Sequence, residues 1–285
     1  MDGYSEMKGE PNIKMVTFDL WETLVLERNG ADSQRTLIRC RKLAKVLNEF
    51  GINTSVEQLF LVIKAMAPWL GEIWETDRDV SHLEQIQFLV NAASKGSVIL
   101  KDDWIGELSS AYVSPLFEVP PYLNPDARRV LQRLRERNKR IGLICNTGHT
   151  PGFVLRQFLR KEGVAKYFDL MLFSDEVGIR KPNSEIFQIA AKKMDAEPCE
   201  AIHVGDNLRS DVWGAKNAGF KAIYLSTETG RDKIAESDPG SLASLSRKFG
   251  SLNEKEIIPD RTIVSLGGVV EAIESLENNW KRNRA

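Results

Sequence analysis

The sequence is poor in the residues that build disulfide frameworks and zinc sites. Its 285 residues include three histidines and three cysteines, and Cys40, Cys145 and Cys199 lie far apart with no CxxC pair. An odd number of widely spaced thiols argues against a disulfide framework and against a structural zinc site. The same pattern is typical of a reducing compartment, so the sequence predicts a cytoplasmic protein.

Long apolar runs and an excess of charge of one sign are also missing. No stretch approaches the roughly 18 apolar residues that a membrane-spanning helix needs, and the polar residues 1–14 lack the apolar core of a signal peptide. The 39 basic and 40 acidic side chains are interspersed and give a formal net charge of −1. This balance argues against nucleic acid and against an anionic membrane surface as partners.

What the chain does contain, after residue 119, is an alternation of strand-like and helix-like segments. Short apolar runs such as 141–145 and 201–204 alternate with helical patterns, which is typical of βαβ units. Residues 27–118 instead show only helical patterns, with capping boxes at Ser55 and Ser81. The sequence therefore predicts an α/β fold, in which a doubly wound parallel sheet of the three-layer, Rossmann-like kind carries an inserted all-helical cap domain.

The same patterns predict how the chain is divided. Residues 1–14 are expected to form a polar N-terminal tail, and residues 27–118 the helical cap. Residues 15–26 and 119–285 are expected to form the Rossmann-like core. Within the core, the segment 226–258 is rich in serine, glycine and charge and is predicted to be a loop.

Carboxylates follow two of the predicted strands. The short run 15–18 ends abruptly in Asp19, and a later run ends in Asp206, with Asp211 five residues further. The carboxyl ends of parallel strands meet at one edge of the sheet, so these side chains are expected to converge. Carboxylates so close repel one another unless a cation lies among them, and hard oxygen ligands suit Mg²⁺. The alternative is that each aspartate only caps the following helix.

Further polar side chains are predicted at the same edge. Asn146 and Thr147 follow the strand 141–145, and Lys181 lies in the loop 178–182. A lysine beside clustered carboxylates can balance the negative charge of a substrate oxygen. The alternative for Lys181 is an ordinary solvated loop lysine.

Three stretches of this sequence are FDLWETLV, GIRKPNSEIF and HVGDNLRSDVWGAKNAG. They resemble motifs of the haloacid dehalogenase-like (HAD) superfamily of hydrolases, which are mostly phosphatases, and the resemblance covers nearly the whole chain in the right order. It implies that Asp19 is the nucleophile that becomes an aspartyl-phosphate, and that it binds Mg²⁺ together with the backbone carbonyl of Trp21. It also implies that Lys181 holds phosphoryl oxygens and that Asp206 and Asp211 complete or brace the metal site.

The sequence departs from the family pattern at two positions. The usual second aspartate, two residues after the nucleophile, is Trp21 here. The second motif usually has serine or threonine at the strand end, where this chain has Cys145 followed by Asn146. A thiol is a poor substitute for a hydroxyl as a donor to phosphate, and Thr147 takes that place only if the register shifts. Asn146 and Thr147 are therefore both predicted to bind the substrate.

The predicted function is Mg²⁺-dependent hydrolysis of a small phosphorylated metabolite, with Asp19 and Lys181 as the catalytic residues. One alternative is a 2-haloacid dehalogenase, because such relatives also carry an aromatic residue at the position of Trp21. Those enzymes need no metal and lack the Gly-Asp pair that precedes Asn207. A second alternative is a binding or regulatory protein that retains the fold and the metal site without turnover. The oligomeric state and the identity of the substrate are not predicted.

Overall fold

The structure is a computed structural model that describes residues 13–226 and 256–282. Most of the predicted N-terminal tail and most of the predicted loop at 226–258 therefore lie outside the described residues. The strands are β1 Met15–Phe18, β2 Val25–Leu26, β3 Tyr122–Leu123, β4 Arg140–Cys145, β5 Leu170–Phe173, β6 Ala201–Gly205, β7 Lys221–Leu225 and β8 Arg261–Ile263. The α-helices are α1 Ala31–Glu49, α2 Val56–Trp74, α3 His82–Ala93, α4 Ile105–Val113, α5 Pro115–Glu118, α6 Ala127–Glu136, α7 Gly152–Lys161, α8 Ser174–Val177, α9 Ser184–Lys193, α10 Gly214–Asn217 and α11 Val269–Arg282.

Six of these strands form one parallel sheet in the order β5-β4-β1-β6-β7-β8. The central strand β1 pairs with β4 on one side and with β6 on the other, so that Phe18 lies opposite both Leu143 and Val204. The three central strands therefore end at nearly the same level. Any polar residue that follows one of them enters the same crevice.

Helices cover both faces of the sheet, and β1 is therefore buried on both faces. Its side chains alternate, as strand geometry requires. Val16 and Phe18 join the apolar cluster that contains residues of α6, α7 and α11. Met15 joins the cluster on the opposite face, which contains Ile186 and Phe187 of α9. The predicted three-layer α/β fold is confirmed.

The segment between β2 and β3 is helical and has a hydrophobic core of its own. Helices α1 to α4 contribute to it, with Leu43, Leu59, Leu89 and Leu108 fully buried. Both predicted capping boxes form, one at the start of α2 and one at the start of α3. The inserted helical cap is therefore confirmed as part of the fold class, while its bounds at 27 and 118 stay a prediction.

The chain passes between the sheet and the cap through a short antiparallel ribbon. Val25 of β2 pairs with Leu123 of β3, and the two strands are the outgoing and returning connections. Among residues 13–226 and 256–282, no helix is both long enough and apolar enough to cross a membrane.

Candidate active site

Three aspartates converge at the carboxyl edge of the sheet. Asp19 follows β1, Asp206 follows β6, and Asp211 lies in a π-helix at Leu208–Trp213. One carboxylate oxygen from each lies within 4.8 Å of the others, and all three residues are buried. The structure thus brings together the three carboxylates that the strand-end positions predict.

Lys181 lies among these carboxylates. Its Nζ donates to Oδ1 of Asp19 and to Oδ1 of Asp211, at 2.7 Å in each case, and its side chain is 1 % exposed. Burial lowers the pKa of Lys181, but the two carboxylates raise it by more, so the net shift is upward and the ammonium stays protonated. The alternative of a solvated loop lysine is therefore wrong.

Asp211 is held in place from several directions. The backbone N–H of Asn207 donates to its Oδ2 at 2.9 Å, and its Oδ1 lies 3.3 Å from Nε2 of His203. Burial would raise the pKa of Asp211, but Lys181 and His203 lower it by more, so Asp211 is ionised. A Cβ added to Gly205 would lie 2.3 Å from the carboxylate carbon of Asp211, so this close packing requires glycine.

His203 is a neutral positioning residue beneath the carboxylates. Burial lowers its pKa, although the hydrogen bond to Asp211 acts in the opposite direction. An ionised carboxylate only accepts, so Nε2 carries the proton of the neutral ring. Nδ1, which lies 2.8 Å from the Thr17 hydroxyl, then accepts from it. The sequence gives no signal for this role, because the histidine lies in the strand.

Asn146 contacts the backbone of Lys181 through both ends of its amide. Its Nδ2 donates to the carbonyl oxygen of Lys181, and its Oδ1 accepts from the Lys181 N–H, each at 2.8 Å. Two such bonds fix the loop that carries the lysine. These contacts make Asn146 a positioning residue, and the predicted contact with substrate stays a prediction.

Thr147 is turned toward α8 and the cap. Its Oγ1 lies 3.1 Å from the Ser174 hydroxyl and 3.4 Å from Oδ2 of Asp79, and it accepts from the N–H of Asp175 at 3.3 Å. None of these contacts supports the predicted binding of substrate by Thr147, which also stays a prediction. Cys145, and not Thr147, is the residue at the end of β4. Burial and the Asp19 carboxylate raise the pKa of its thiol well above the usual value.

An ion pair between the cap and the core adjoins Lys181. Nη1 of Arg180 donates to Oδ2 of Asp79 at 2.6 Å and to the carbonyl of Thr147 at 2.8 Å. The Trp74 indole donates to Oδ1 of Asp79 at 3.0 Å, and the Arg180 guanidinium lies 3.8 Å from the centre of the Trp74 ring. Sequence reasoning missed Asp79 and Arg180, because nothing local distinguishes them from other charged residues.

Backbone hydrogen bonds reinforce this ion pair. The N–H of Arg180 donates to the carbonyl of Asp77 at 2.9 Å, and the N–H of Asp79 donates to Gly178 at 3.2 Å. Between these two hydrogen bonds, Arg78 and Ile179 form an antiparallel bridge. We name residues 77–79 and 178–180 the latch. It ties the cap to the loop that ends in Lys181.

Trp21 is partly buried and packs against the core cluster that contains Phe18. Its backbone forms a bridge with Val25, and the predicted metal contact of its carbonyl stays a prediction. The next residue, Glu22, has a φ of 58°, a left-handed conformation that few non-glycine residues adopt. Its carboxylate accepts from the N–H of Glu27 at 3.3 Å.

Two known proteins illustrate which sequences the chain is similar to. Glyceraldehyde 3-phosphate phosphatase of Methanopyrus kandleri is 27 % identical over 218 residues, which cover 75 % of this chain and 84 % of that protein. The protein of the same name from Pyrococcus abyssi is 41 % identical over 101 residues, which cover 35 % of this chain and 41 % of that protein. In this second alignment the chain spans less than half the length of its relative.

The fold also matches solved structures. A 2-haloacid dehalogenase from Pseudomonas syringae pv. Tomato DC3000 superposes with a TM-score of 0.62 at 20 % identity, covering 93 % of this chain and 99 % of that one. A likeness at this level of identity concerns the fold alone. The family model described as haloacid dehalogenase-like hydrolase matches residues 13–219, and these residues include every member of the carboxylate and lysine cluster. The chain therefore belongs to the haloacid dehalogenase-like hydrolases, as its motifs predict.

Proposed function

We propose that this protein is a Mg²⁺-dependent phosphatase that hydrolyses small phosphate monoesters through an aspartyl-phosphate on Asp19. The observation that carries the proposal is the buried cluster of Asp19, Asp206 and Asp211 with Lys181 at the ends of β1 and β6. Relatives named as phosphatases support the substrate class. The cytoplasmic location is a proposal too, supported by three free thiols.

The donor set fits a small, hard cation. Three carboxylates offer only oxygen, and the single ammonium of Lys181 balances one of them, so negative charge remains for a divalent ion. We propose Asp19, Asp206 and Asp211 as ligands, with the backbone carbonyl of Trp21 as a fourth. When bound, Mg²⁺ supplies neutralisation of charge on the phosphoryl oxygens.

The chain's own residues account for the steps of phosphoryl transfer. A carboxylate oxygen of Asp19 attacks phosphorus in line with the leaving oxygen, the bond to that oxygen breaks, and an aspartyl-phosphate forms. Water then attacks phosphorus, releases inorganic phosphate and restores the carboxylate. Lys181 donates to the phosphoryl oxygens, and Asn146 holds the lysine backbone in place.

The protonation of the leaving group is the weak point of this site. Indole at position 21 cannot supply a proton, because its N–H does not ionise near neutral pH. We therefore propose that the enzyme prefers aryl and acyl phosphates, whose leaving oxygens need little protonation, to simple alkyl phosphates.

The proposal is tested by phosphate release from a panel of phosphate monoesters, with Mg²⁺ and with chelator. Asp19→Asn should abolish turnover, since a neutral amide cannot form the phosphoryl intermediate, while circular dichroism should show an intact fold. Activity of this variant within tenfold of the wild type would contradict the role of Asp19.

Dehalogenation of a 2-haloacid is the second candidate, and the aromatic residue at position 21 is the observation that favours it. The same panel separates the two activities when 2-chloropropionate is added and halide release is measured. Chelator-insensitive halide release without phosphate release would establish the second candidate. Release of neither product would favour a non-catalytic protein with this fold.

A further inference from the structure

Arg39 places a positive charge inside the cap without a salt-bridge partner among the described residues. Burial lowers its pKa, and the charge of Asp32, which acts in the opposite direction, does not offset that effect. It lies in α1, is 1 % exposed, and its Nε donates to the carbonyl of Tyr112 at 2.8 Å. Its Nη1 is buried without a hydrogen-bond partner, and the ion pairs of residues 13–226 and 256–282 do not include it. A buried charge without a partner is costly, so its retention needs an explanation.

The contrast with Arg35, one turn earlier in α1, is direct. Arg35 is also buried, but it forms an ion pair with Glu27 and donates to the carbonyl of Val119 at 3.1 Å. Its charge is therefore compensated within the protein. The ion pair explains why the charge of Arg35 can be buried, and in the described part of the chain Arg39 has no such pair.

The neighbours of Arg39 are neutral polar groups that span the cap and the core. The guanidinium lies 5.0 Å from the centre of the Tyr112 ring. The Tyr112 hydroxyl donates to Oε1 of Gln85 at 2.5 Å and lies 2.8 Å from Nδ1 of His149. Nε2 of Gln85 donates to the carbonyl of Gly148 at 3.1 Å. Tyr112 and Gln85 thus contact the loop after β4, the same loop in which Asn146 binds the backbone of Lys181.

The hydrogen bonds also fix the proton on His149. The bond from Gln85 to Gly148 orients the amide, so its oxygen takes the Tyr112 proton. His149 must then donate its Nδ1 proton to the Tyr112 oxygen. Burial and the charge of Arg39 lower the pKa of His149 well below its usual value, so the ring is neutral. None of the three neighbours therefore balances the guanidinium.

We propose that Arg39 binds a second anionic group of the phosphorylated substrate, a carboxylate or a second phosphate, and so determines specificity. The proposal rests on the phosphatase function proposed above. The planar fork of guanidinium donors matches both anions. The missing salt-bridge partner then arrives with the substrate, while the phosphoryl group lies at Asp19 and Lys181. The substrate class is a small phosphate monoester that carries a further anion.

The test compares substrates that differ only in that anion. Suitable pairs are phosphoglycolate with its amide, and 3- or 4-carboxyphenyl phosphate with the matching carbamoylphenyl phosphates; phenylene bisphosphates form the second-phosphate arm. We expect the wild type to prefer the charged member of at least one pair by about 10- to 100-fold in kcat/KM. Arg39→Met should remove that preference and leave the neutral substrates within a few-fold, and Arg39→Lys should retain part of it.

Arg35→Lys, which keeps a charge beside Glu27, is the matched control and should leave the preference unchanged. If Arg39→Met does not fold, the Arg39→Lys result decides. A charged-to-neutral ratio near one in the wild type for every pair, or a ratio that both Arg39 variants leave unchanged, would overturn the proposal. Asp19-dependent hydrolysis of the neutral substrates would continue in that case, whereas its absence throughout would instead contradict the phosphatase function.

Discussion

Lys181 depends on the neighbouring carboxylates for its charge state, and its ammonium donates to Asp19. The lysine is almost fully buried, and only the carboxylates of Asp19 and Asp211 keep it protonated there. Position 21, two residues after Asp19, carries an indole that does not ionise near neutral pH. At the residue scale the cluster therefore offers one buried ammonium among three carboxylates, while position 21 offers no proton donor that ionises near neutral pH.

Two residues that could replace the carboxylic acid missing at position 21 already form hydrogen bonds within the protein. His149 carries its single proton on Nδ1, where it donates to Tyr112. Glu22 accepts a hydrogen bond from the backbone of Glu27. We therefore expect neither to protonate the leaving oxygen.

The first prediction follows for Trp21→Asp. General acid–base assistance contributes roughly 10²–10⁴-fold, so this variant should gain most on alkyl phosphates and little on aryl phosphates. A plot of log rate against the pKa of the leaving group should become shallower. The melting curve must first show that the variant folds, since a large side chain is removed. A wild-type slope as shallow as that of the variant would mean that another group supplies the proton.

At the scale of elements, the latch couples the cap to the loop of Lys181. The second prediction concerns Asp79→Asn, which leaves the buried guanidinium of Arg180 without its carboxylate. Breaking a buried pair in this way costs about 3–5 kcal/mol of the free energy of unfolding. We also expect kcat to fall, because the loop that ends in Lys181 loses one of its anchors, while the two hydrogen bonds from Asn146 remain. Denaturant unfolding and steady-state kinetics measure the two effects.

The control for the latch is a pair near the surface. Arg156 and Glu176 form an ion pair at 2.8 Å that is partly exposed, and Glu176→Gln should cost no more than about 1 kcal/mol. Equal costs for Asp79→Asn and Glu176→Gln would show that the latch does not stabilise the contact between cap and core.

Asp175 connects α8 with the start of α7 and provides the third prediction. Its carboxylate accepts from the N–H of Gly152 at 3.1 Å and 3.2 Å, which favours the charged form. Burial outweighs this effect and raises the pKa of Asp175 to about 6. Between the ordinary carboxyl pKa of 3.8 and about 6, the folded protein binds more protons than the unfolded chain. Stability from this group is therefore lost as the pH rises through that window.

Asp175→Asn keeps an acceptor for Gly152 and removes the titration. The difference in melting temperature, variant minus wild type, should increase from about pH 4 to about pH 7, where Asp175 is fully ionised in the folded protein, and stay constant above. A constant difference over the whole range would contradict the raised pKa.

At the scale of the molecule, the carboxylate cluster joins segments from both halves of the sheet. The fourth prediction is that Mg²⁺ raises the melting temperature, because it binds the converged carboxylates of the folded state. At 100 times its dissociation constant, a ligand adds about 2.7 kcal/mol of stability, a rise of several degrees for a chain of this size.

Asp206→Asn should remove most of this rise. Asp195→Asn is the control, because its carboxylate is fully exposed and is not one of the three that converge. No change in melting temperature at millimolar Mg²⁺ would contradict the proposed metal site and favour metal-independent dehalogenation.

The sequence by itself determined the framework of the site. Each part of it follows from a local pattern: apolar runs that end in Asp19 and Asp206, a spacing of five residues to Asp211, and helix caps at Ser55 and Ser81. Parallel strands then force the strand ends together, so these residues could be named before any contact was known.

Only the tertiary structure decided which charges meet. Asp79 and Arg180 are separated by 101 residues, and no periodicity or spacing links them. The turn of Thr147 toward Ser174 depends on the loop after β4, and the missing salt-bridge partner of Arg39 depends on what packs around it. Long-range pairing and burial arise from packing, which leaves no local signal in the sequence.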